Sequence, residues 1–391
     1  MVLPEQTEDV AEPRDIAVYH DYFAIRGGGE RLALTLSREL QAQLVYGFRT
    51  ASSHDDALFP ARTKSLGLES TPNIPGMKLI RLVLGFLGQR QAAGKFEIRI
   101  FSGVAAPFAA PKKGAGLNIF YCHTPPRFLF DQRQRFLSGF RPPARLFVIP
   151  LMRIFEWLYV SATARMDIIV TNSENTRDRI KKYIAQDSVV VYPPVDIDRF
   201  RFFGQKDYYV STARLTALKR VDLIVDAFLK MSDKRLVIVS GGEDRAALVA
   251  RAKGAPNIEF LDWVDDVTLQ TIIGEAIATI YLPIDEDFGI SPVESMAAGK
   301  PVIGVEEGGL LETIVPGETG ILVRKNFTVD DVVAAVRRMT PEAALEMRKA
   351  CEQRAKEFSR SHFISRMKQI IEMPCVNGMR APRRPWDCSA D

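Results

Sequence analysis

A strand–helix alternation is written into this chain twice, with a break between the two runs. Apolar stretches suited to buried strands occur at residues 16–19, 118–122 and 167–171. Residues 30–40, with apolar side chains at 32, 36 and 40, and residues 177–183 read as helices. A strand at 189–192 is stopped by Pro193 and Pro194, and residues 196–206 carry no sustained period. The alternation then restarts, with strands at 208–211, 235–240, 278–282, 301–305 and 321–323. A helix spans 221–230, and charged helical sequence runs from 329 to about 372. Such alternation predicts an α/β fold with parallel sheets covered by helices. Two doubly wound units facing a central cleft follow, with ligands at the carboxyl ends of the strands. The chain then divides into a lead-in (1–14), a first domain (15–195), a linker (196–206), a second domain (207–372) and a tail (373–391).

Composition narrows the classes. Hydrophobic residues make up 47% and charged residues 26%, which suits globular cores and excludes a wholly disordered chain. Residues 1–14 lack the apolar centre of a signal peptide and are expected to be disordered. The most apolar stretch, 146–164, is interrupted by Pro150, Arg153 and Glu156. A crossing helix needs ~20 nearly uninterrupted apolar residues, so none is expected. Cys122, Cys351, Cys375 and Cys388 show no CxxC spacing, so neither a zinc site nor a disulfide framework is expected, and a reducing cytoplasm fits. Charge is uneven: residues 62–145 hold 14 Lys and Arg against 3 Asp and Glu, whereas residues 196–391 hold 27 against 30. The first half therefore carries a positive field suited to nucleic acid, anionic lipid or a phosphate-bearing substrate.

Four segments carry chemistry. In the first, residues 283–301, Ser291 suits an N-cap, Pro292 the first helical position and Glu294 the third position of a capping box, with Gly299 as the stop. Glu286 has no such local duty. It sits between Asp285 and Asp287 after a strand, directly before Phe288, Gly289 and Ile290, whose amides can meet an anion at a helix N-terminus. In the second, Arg214 and Lys219 follow the first strand of the second unit and can neutralise a diphosphate, one as a fork and one as a point charge. In the third, Gly27, Gly28 and Gly29 lie between the first strand and first helix, where backbone can approach phosphate, although the spacing is not GxGxxG. In the fourth, His123 follows a buried strand at the site-bearing edge.

Together these segments resemble glycosyltransferase family 4, the retaining enzymes of GT-B fold with two Rossmann-like domains. Glu286 and Glu294 match its E-x7-E pair, and Arg214 and Lys219 its phosphate pair. Gly308, Gly309 and Glu312, then Gly317, Thr319 and Gly320, match its trailing glycine elements, so the resemblance covers nearly the whole chain. It implies that Glu286 binds donor-sugar hydroxyls, Glu294 the ribose, and Arg214 and Lys219 the diphosphate of a sugar nucleotide. It further implies that Phe288, Gly289 and Ile290 line the sugar pocket through backbone, with Val264 near the nucleobase. His123 would stand at the reacting centre, and Gly28 and Gly29 would face the phosphates or acceptor. The chain departs from the family at Asp287, where glycine is usual. In this form it looks like bacterial mannosyltransferases of O-antigen and exopolysaccharide assembly, which implies GDP-mannose and makes Asp287 the position expected to bear on sugar choice.

No metal or other cofactor is implied. Asp196 and Asp198 form a DxD, but within the linker, where it reads as a turn and helix start. Retention follows from the resemblance, and with no obvious nucleophile the acceptor is expected to attack on the face from which the nucleotide leaves. Residues 74–91 mix apolar side chains with Lys78, Arg81 and Arg90, the pattern of either a membrane-interface segment or a core helix. With the positive field, this points to an anionic membrane surface on the inner face of the cytoplasmic membrane. The acceptor is then lipid-diphosphate-linked or a polysaccharide, and nucleic acid is not an expected partner. Two other classes stay open: an epimerase or phosphorylase of the same architecture, and a non-catalytic membrane-surface scaffold.

Overall fold

The computed structural model describes residues 15–24, 27–51, 53–68, 76–114 and 116–372. The expected lead-in and tail, with Cys375 and Cys388, lie outside the described residues. The first sheet comprises β1 (Ile16–Phe23), β2 (Gln43–Arg49), β3 (Thr63–Ser65), β4 (Ile98–Ser102), β5 (Leu117–Cys122), β6 (Ile168–Thr171) and β7 (Val189–Val190). Its spatial order is β3-β2-β1-β4-β5-β6-β7. The second sheet comprises β8 (Tyr209–Ser211), β9 (Leu236–Val239), β10 (Ile258–Leu261), β11 (Thr279–Ile280), β12 (Val302–Val305) and β13 (Gly320–Val323), in the order β10-β9-β8-β11-β12-β13. Every pairing in the second sheet is parallel. So are those that join β1 to β2 and β4, β2 to β3, β4 to β5 and β6 to β7. Each sheet reverses its winding once, between β1 and β4 and between β8 and β11, and such switch points are where doubly wound sheets bind ligands.

The helices are α1 (Gly28–Glu39), α2 (Met77–Leu87), α3 (Arg90–Ala93), α4 (Arg133–Ser138), α5 (Pro142–Thr163), α6 (Glu174–Ile184), α7 (Val221–Leu229), α8 (Arg245–Ala252), α9 (Asp266–Glu275), α10 (Ile290–Ala297), α11 (Leu310–Thr313), α12 (Val329–Arg338), α13 (Pro341–Lys356) and α14 (Arg360–Glu372). Their apolar stripes explain them. In α7, Val221, Ile224, Val225 and Phe228 are buried, a single face at helical spacing. The long charged stretch after residue 329 resolves into α12, α13 and α14, because Met339 ends one helix and Thr340 caps the next through Ala343.

Among the described residues two compact units form, 15–122 with 126–169, and 123–125 with 170–372. The division falls inside β6, earlier than the expected boundary at 195. Residues 170–195 group with the second unit through α6, whose Asn175 and Arg179 bond to the 285–287 loop. The expected linker 196–206 is likewise tied to the second unit. Phe200 is buried, Phe203 N–H donates to Gly274 O, and Lys300 Nζ donates to Gly204 O at 2.6 Å. The chain there hydrogen-bonds as ordered structure must when buried. Asp196 and Asp198 belong to a short 3-10 turn at Ile197–Arg199.

Backbone proximity demands glycine beside the 285–287 loop. Gly308 has φ 62°, and a Cβ there would collide with Glu286 O and stand 2.9 Å from Glu286 N. Gly309 meets the main chain of Asp287 and Phe288 in the same way. Gly317 shares a positive φ of 83° but faces open space. Gly308→Ala is therefore expected to destabilise the protein by about 2 kcal/mol more than Gly317→Ala, because only the first adds a backbone clash to left-handed strain. Urea unfolding of both variants measures the difference; equal losses would refute the close-approach role.

Candidate functional site

The second unit's switch point is built by two loops. One leaves β8 and carries Arg214 and Lys219; the other follows β11 and carries residues 283–289. Ile284 N–H donates to Leu218 O at 2.7 Å, joining the loops through main chain. Arg220 completes the joint. Its guanidinium donates to Leu282 O at 2.7 Å and Pro283 O at 2.5 Å and pairs with Glu307 at 3.2 Å. The loops are thus held together before any ligand arrives.

Lys219 and Glu286 meet there. Lys219 Nζ donates to Glu286 Oε2 at 2.5 Å and to the Tyr281 hydroxyl oxygen at 2.8 Å. Both charged side chains keep about a fifth of their surface exposed, 22% and 21%. Burial first, then the charges of Glu286, Glu294 and Asp287, hold the Tyr281 hydroxyl well above the usual phenol range. Arg214 is exposed and, among the described residues, makes no side-chain hydrogen bond or ion pair.

The three adjacent acids are sorted rather than pooled. Arg179 of α6 pairs with Asp285 at 2.7 Å and also with Asp287, and donates to the main-chain carbonyl of Asp285 at 3.1 Å. Its side chain is 9% exposed, so these pairs carry weight that surface pairs lack. Asp285 has φ 49°, a left-handed conformation that Asp tolerates better than most residues and that Arg179 holds from both sides. Asp287, the position expected to bear on sugar choice, is engaged by a guanidinium. Glu286 also has structural duties that sequence does not show. Besides its ion pair, its carbonyl accepts from Gly309 N–H at 2.8 Å and Asn175 Nδ2 at 3.0 Å.

The capping box predicted at Ser291 does not form. Gly289, at φ 94°, is the N-cap of α10, which starts at Ile290 with no side-chain cap. A left-handed glycine turns the chain into the helix two residues earlier than a Ser291 cap would. Ser291 and Pro292 then fall inside the first turn, and Pro292 costs nothing because the first four N–H groups lack intrahelical partners. Glu294 becomes the fifth helical residue, half-buried, so its local excuse as a cap disappears. The stop is as expected. Gly299 N–H donates to Met296 O and Lys300 N–H to Ser295 O, a Schellman closure with Gly299 at φ 68°.

The remaining candidates are dispersed. Phe288 is 3% exposed, with its ring against Tyr192 and Phe358, so only its backbone can face a ligand. Ile290 packs on the main core of the second unit, and Val264 on the smaller cluster of Val210, Val237 and Val239. His123 directly follows β5, and its carbonyl accepts from Asn172 Nδ2 at 2.9 Å. Burial pushes its imidazole down to about 4, so near neutral pH it is uncharged. Gly28 and Gly29 are not loop residues but the first two residues of α1, capped by Gly27. At the first unit's switch point Asp21 already fills the anion position. Its carboxylate accepts from the amides of Val104 at 2.7 Å, Ala105 at 2.9 Å and Ala106 at 2.7 Å, and burial raises it to about 6 against those bonds.

Sequence inspection missed Arg179, Arg220, Tyr281 and Asn175, since nothing in local spacing marks a residue whose partner lies 62 to 111 positions away. Glu312 was visible only as part of a glycine element. Its carboxylate accepts from the N–H groups of Glu174 at 2.8 Å and Asn175 at 3.0 Å, where the N-terminus of α6 favours an anion. Among the described residues no three His, Cys, Asp or Glu side chains cluster as metal ligands do. Cys122 and Cys351 are buried and form no disulfide among the described residues.

Residues 26–199 match Glycosyltransferase Family 4, and residues 194–358 match Glycosyl transferases group 1. The chain is 27% identical over 306 residues to alpha-1,3/1,6-mannosyltransferase ALG2 of Dictyostelium discoideum, covering 66% of this chain and 69% of that protein. It is 28% identical over 249 residues to ALG2 of Saccharomyces cerevisiae, covering 50% of this chain and 47% of that protein. The chain thus spans about half to two-thirds of the curated relatives it matches. Among solved structures it resembles Anabaena HepE in complex with UDP and glucose, at TM-score 0.67 and 14% identity, covering 92% of this chain and all of HepE. It also resembles WaaG, a glycosyltransferase involved in lipopolysaccharide biosynthesis, at TM-score 0.70 and 12% identity, covering 92% of this chain and all of WaaG. At such identities these likenesses establish the GT-B fold.

Two outcomes follow from this geometry. Arg179→Met should cost about 2 kcal/mol in urea unfolding by removing the guanidinium from two carboxylates, and Asp287→Gly added to it should recover part of that loss. Strict additivity of the two substitutions would show that the clamp is not real. For His123 the folded value lies below the unfolded one, so between about 6.5 and about 4 the unfolded chain binds more protons. The contribution of this group is thus full above about pH 6.5 and is lost as pH falls toward 4. His123→Gln should flatten the decline of Tm over that window; an unchanged slope would contradict the burial of a neutral ring.

Proposed function

We propose that this chain, which belongs to glycosyltransferase family 4, transfers a mannosyl residue from GDP-mannose to an acceptor in surface-glycan assembly. The acceptor is a lipid-diphosphate-linked sugar or a growing polysaccharide at the inner face of the cytoplasmic membrane. The observation that carries this reading is the Lys219–Glu286 pair at the switch point between β8 and β11. A cation for a diphosphate stands beside a carboxylate for sugar hydroxyls. The mannosyl donor is supported by the relatives named alpha-1,3/1,6-mannosyltransferase, and a sugar-nucleotide donor by HepE, whose structure holds UDP and glucose.

The chemistry follows from charge. As the bond between the anomeric carbon and the phosphate oxygen breaks, positive charge grows on the sugar and negative charge on the leaving diphosphate. Lys219, Arg214 and the N-terminus of α10 meet the second charge. Binding of the diphosphate draws Lys219 away from Glu286, which frees that carboxylate for the sugar hydroxyls. The acceptor hydroxyl forms the new bond to the anomeric carbon on the face the diphosphate leaves, and its proton passes to the departing phosphate oxygen. The configuration is retained. No metal is required in this scheme, because side-chain cations and helix amides take the role. Neutral His123 contributes hydrogen bonding, not charge.

A thermal-shift panel of GDP-, UDP- and ADP-sugars, each with and without chelator, tests the donor. GDP-mannose should raise Tm most, and chelator should leave the shift unchanged. A chelator-sensitive shift would overturn the metal-free scheme, and a larger shift with a UDP-sugar would overturn the donor. Glu286→Ala should abolish transfer with little change in GDP affinity, whereas Lys219→Ala should weaken GDP binding by roughly tenfold or more. Transfer that survives Glu286→Ala would remove that residue from the reaction.

A further inference from the structure

The geometry points to the exposed face of α5 as an element that lies in the surface of an anionic lipid bilayer. Leu146, Phe147, Leu151, Ile154, Trp157 and Leu158 are all exposed, Phe147 at 75% and Trp157 at 68%. Positions 147, 151, 154 and 158 form one stripe at helical spacing, flanked by 146 and 157. A soluble surface rarely carries so continuous an apolar patch without a partner. The opposite face is accounted for. Met152, Tyr159, Ala162 and Thr163 are buried, and Phe155 stacks between Phe108 and Phe128 at 6.1 Å from each.

Charge selects the occupant. Residues 127–165 hold seven arginines and two acids, and both acids are paired within the segment, Asp131 with Arg127 at 2.8 Å and Glu156 with Arg133 at 3.3 Å. Among the described residues Arg135, Arg141, Arg145 and Arg153 have no carboxylate partner. An apolar stripe rimmed by unpaired arginines fits lipid tails below and phosphate headgroups around it. A second copy of the chain fits poorly, because a two-fold contact through this face would bring the same arginines together. At 22 residues, with a mean hydropathy of 1.4 over its most apolar 18, α5 is long and apolar enough to cross a bilayer. Its buried Tyr159 and Met152 and its Glu156 ion pair bind one face to the first unit, so it lies along the interface instead. The segment at residues 74–91 is the weaker contact. Its helix α2 buries Leu82, Val83 and Phe86, as a core helix does, and leaves Ile80 and Leu84 outside.

This deepens the membrane part of the proposed function, yet its readout is independent of catalysis. The full chain is sedimented with phosphatidylcholine vesicles that contain or lack phosphatidylglycerol, as the parent, as Phe147→Ser/Leu151→Ser/Trp157→Ser, and as Ile80→Ser/Leu84→Ser. The parent should pellet with the anionic vesicles only and be released by salt. The α5 variant should lose at least about tenfold in partitioning and the α2 variant much less. Retention of the GDP-mannose thermal shift by the α5 variant shows that it is folded. Three results would overturn the inference: an α5 variant that pellets like the parent, equal pelleting with neutral vesicles, or parent protein that resists carbonate extraction as a crossing helix would. Failure of the parent to pellet with anionic vesicles, its thermal shift intact, would remove the membrane role of α5 and leave the transferase reading standing.

Discussion

Three consecutive carboxylates repel one another, and the loop at residues 285–287 exists in its observed form because Arg179 takes two of them. With Asp285 and Asp287 drawn to one guanidinium, Glu286 is left to face Lys219. The same loop is pressed from another side by Gly308 and Gly309, whose missing side chains allow main chain to lie against main chain. Arg220 then anchors the strand end from which the loop leaves. Charge sorting and steric fit thus act on the same few residues. Their joint product is a cation and a carboxylate held side by side with a fifth of their surface open to solvent.

The two sheets share a winding pattern but not a fate. At the switch point of the first, a ring of amides after β4 is already satisfied by the buried Asp21. An anion from outside would have to displace a carboxylate the chain supplies itself. At the switch point of the second, Lys219 and Glu286 pair with each other at a partly exposed position, and Arg214 of the loop after β8 is exposed. The asymmetry supports the proposed placing of a diphosphate at the second switch point and not at the first. It also gives the uneven charge of the chain a place in the fold.

Several elements were legible in sequence because they depend on near neighbours. The strands at 118–122, 301–305 and 208–211 and the helix at 221–230 all appear within a residue or two. Strands β2, β3, β4 and β10 escaped notice: β2 and β4 are buried runs without alternation, and β3 and β10 are short and partly exposed. The capping box at Ser291 shows the opposite error. Its residue types are right, but a glycine with positive φ two positions earlier starts the helix first. Local propensity proposed one boundary and backbone geometry chose another.

What the sequence determined by itself was the α/β alternation, the order of the glycine and charge elements, and the pairing of Glu286 and Glu294 with Arg214 and Lys219 as candidates. Those features rest on spacing along the chain, which sequence records directly. Only the tertiary structure decided which acid of the triplet stays available, that Asp287 serves an internal clamp, and that α5 keeps its apolar face outside while α2 buries its own. Each of these depends on a partner far away in sequence, such as Arg179 over a hundred residues before Asp287. Charge and burial act through space, and the distances that set them exist only once the sheets have formed.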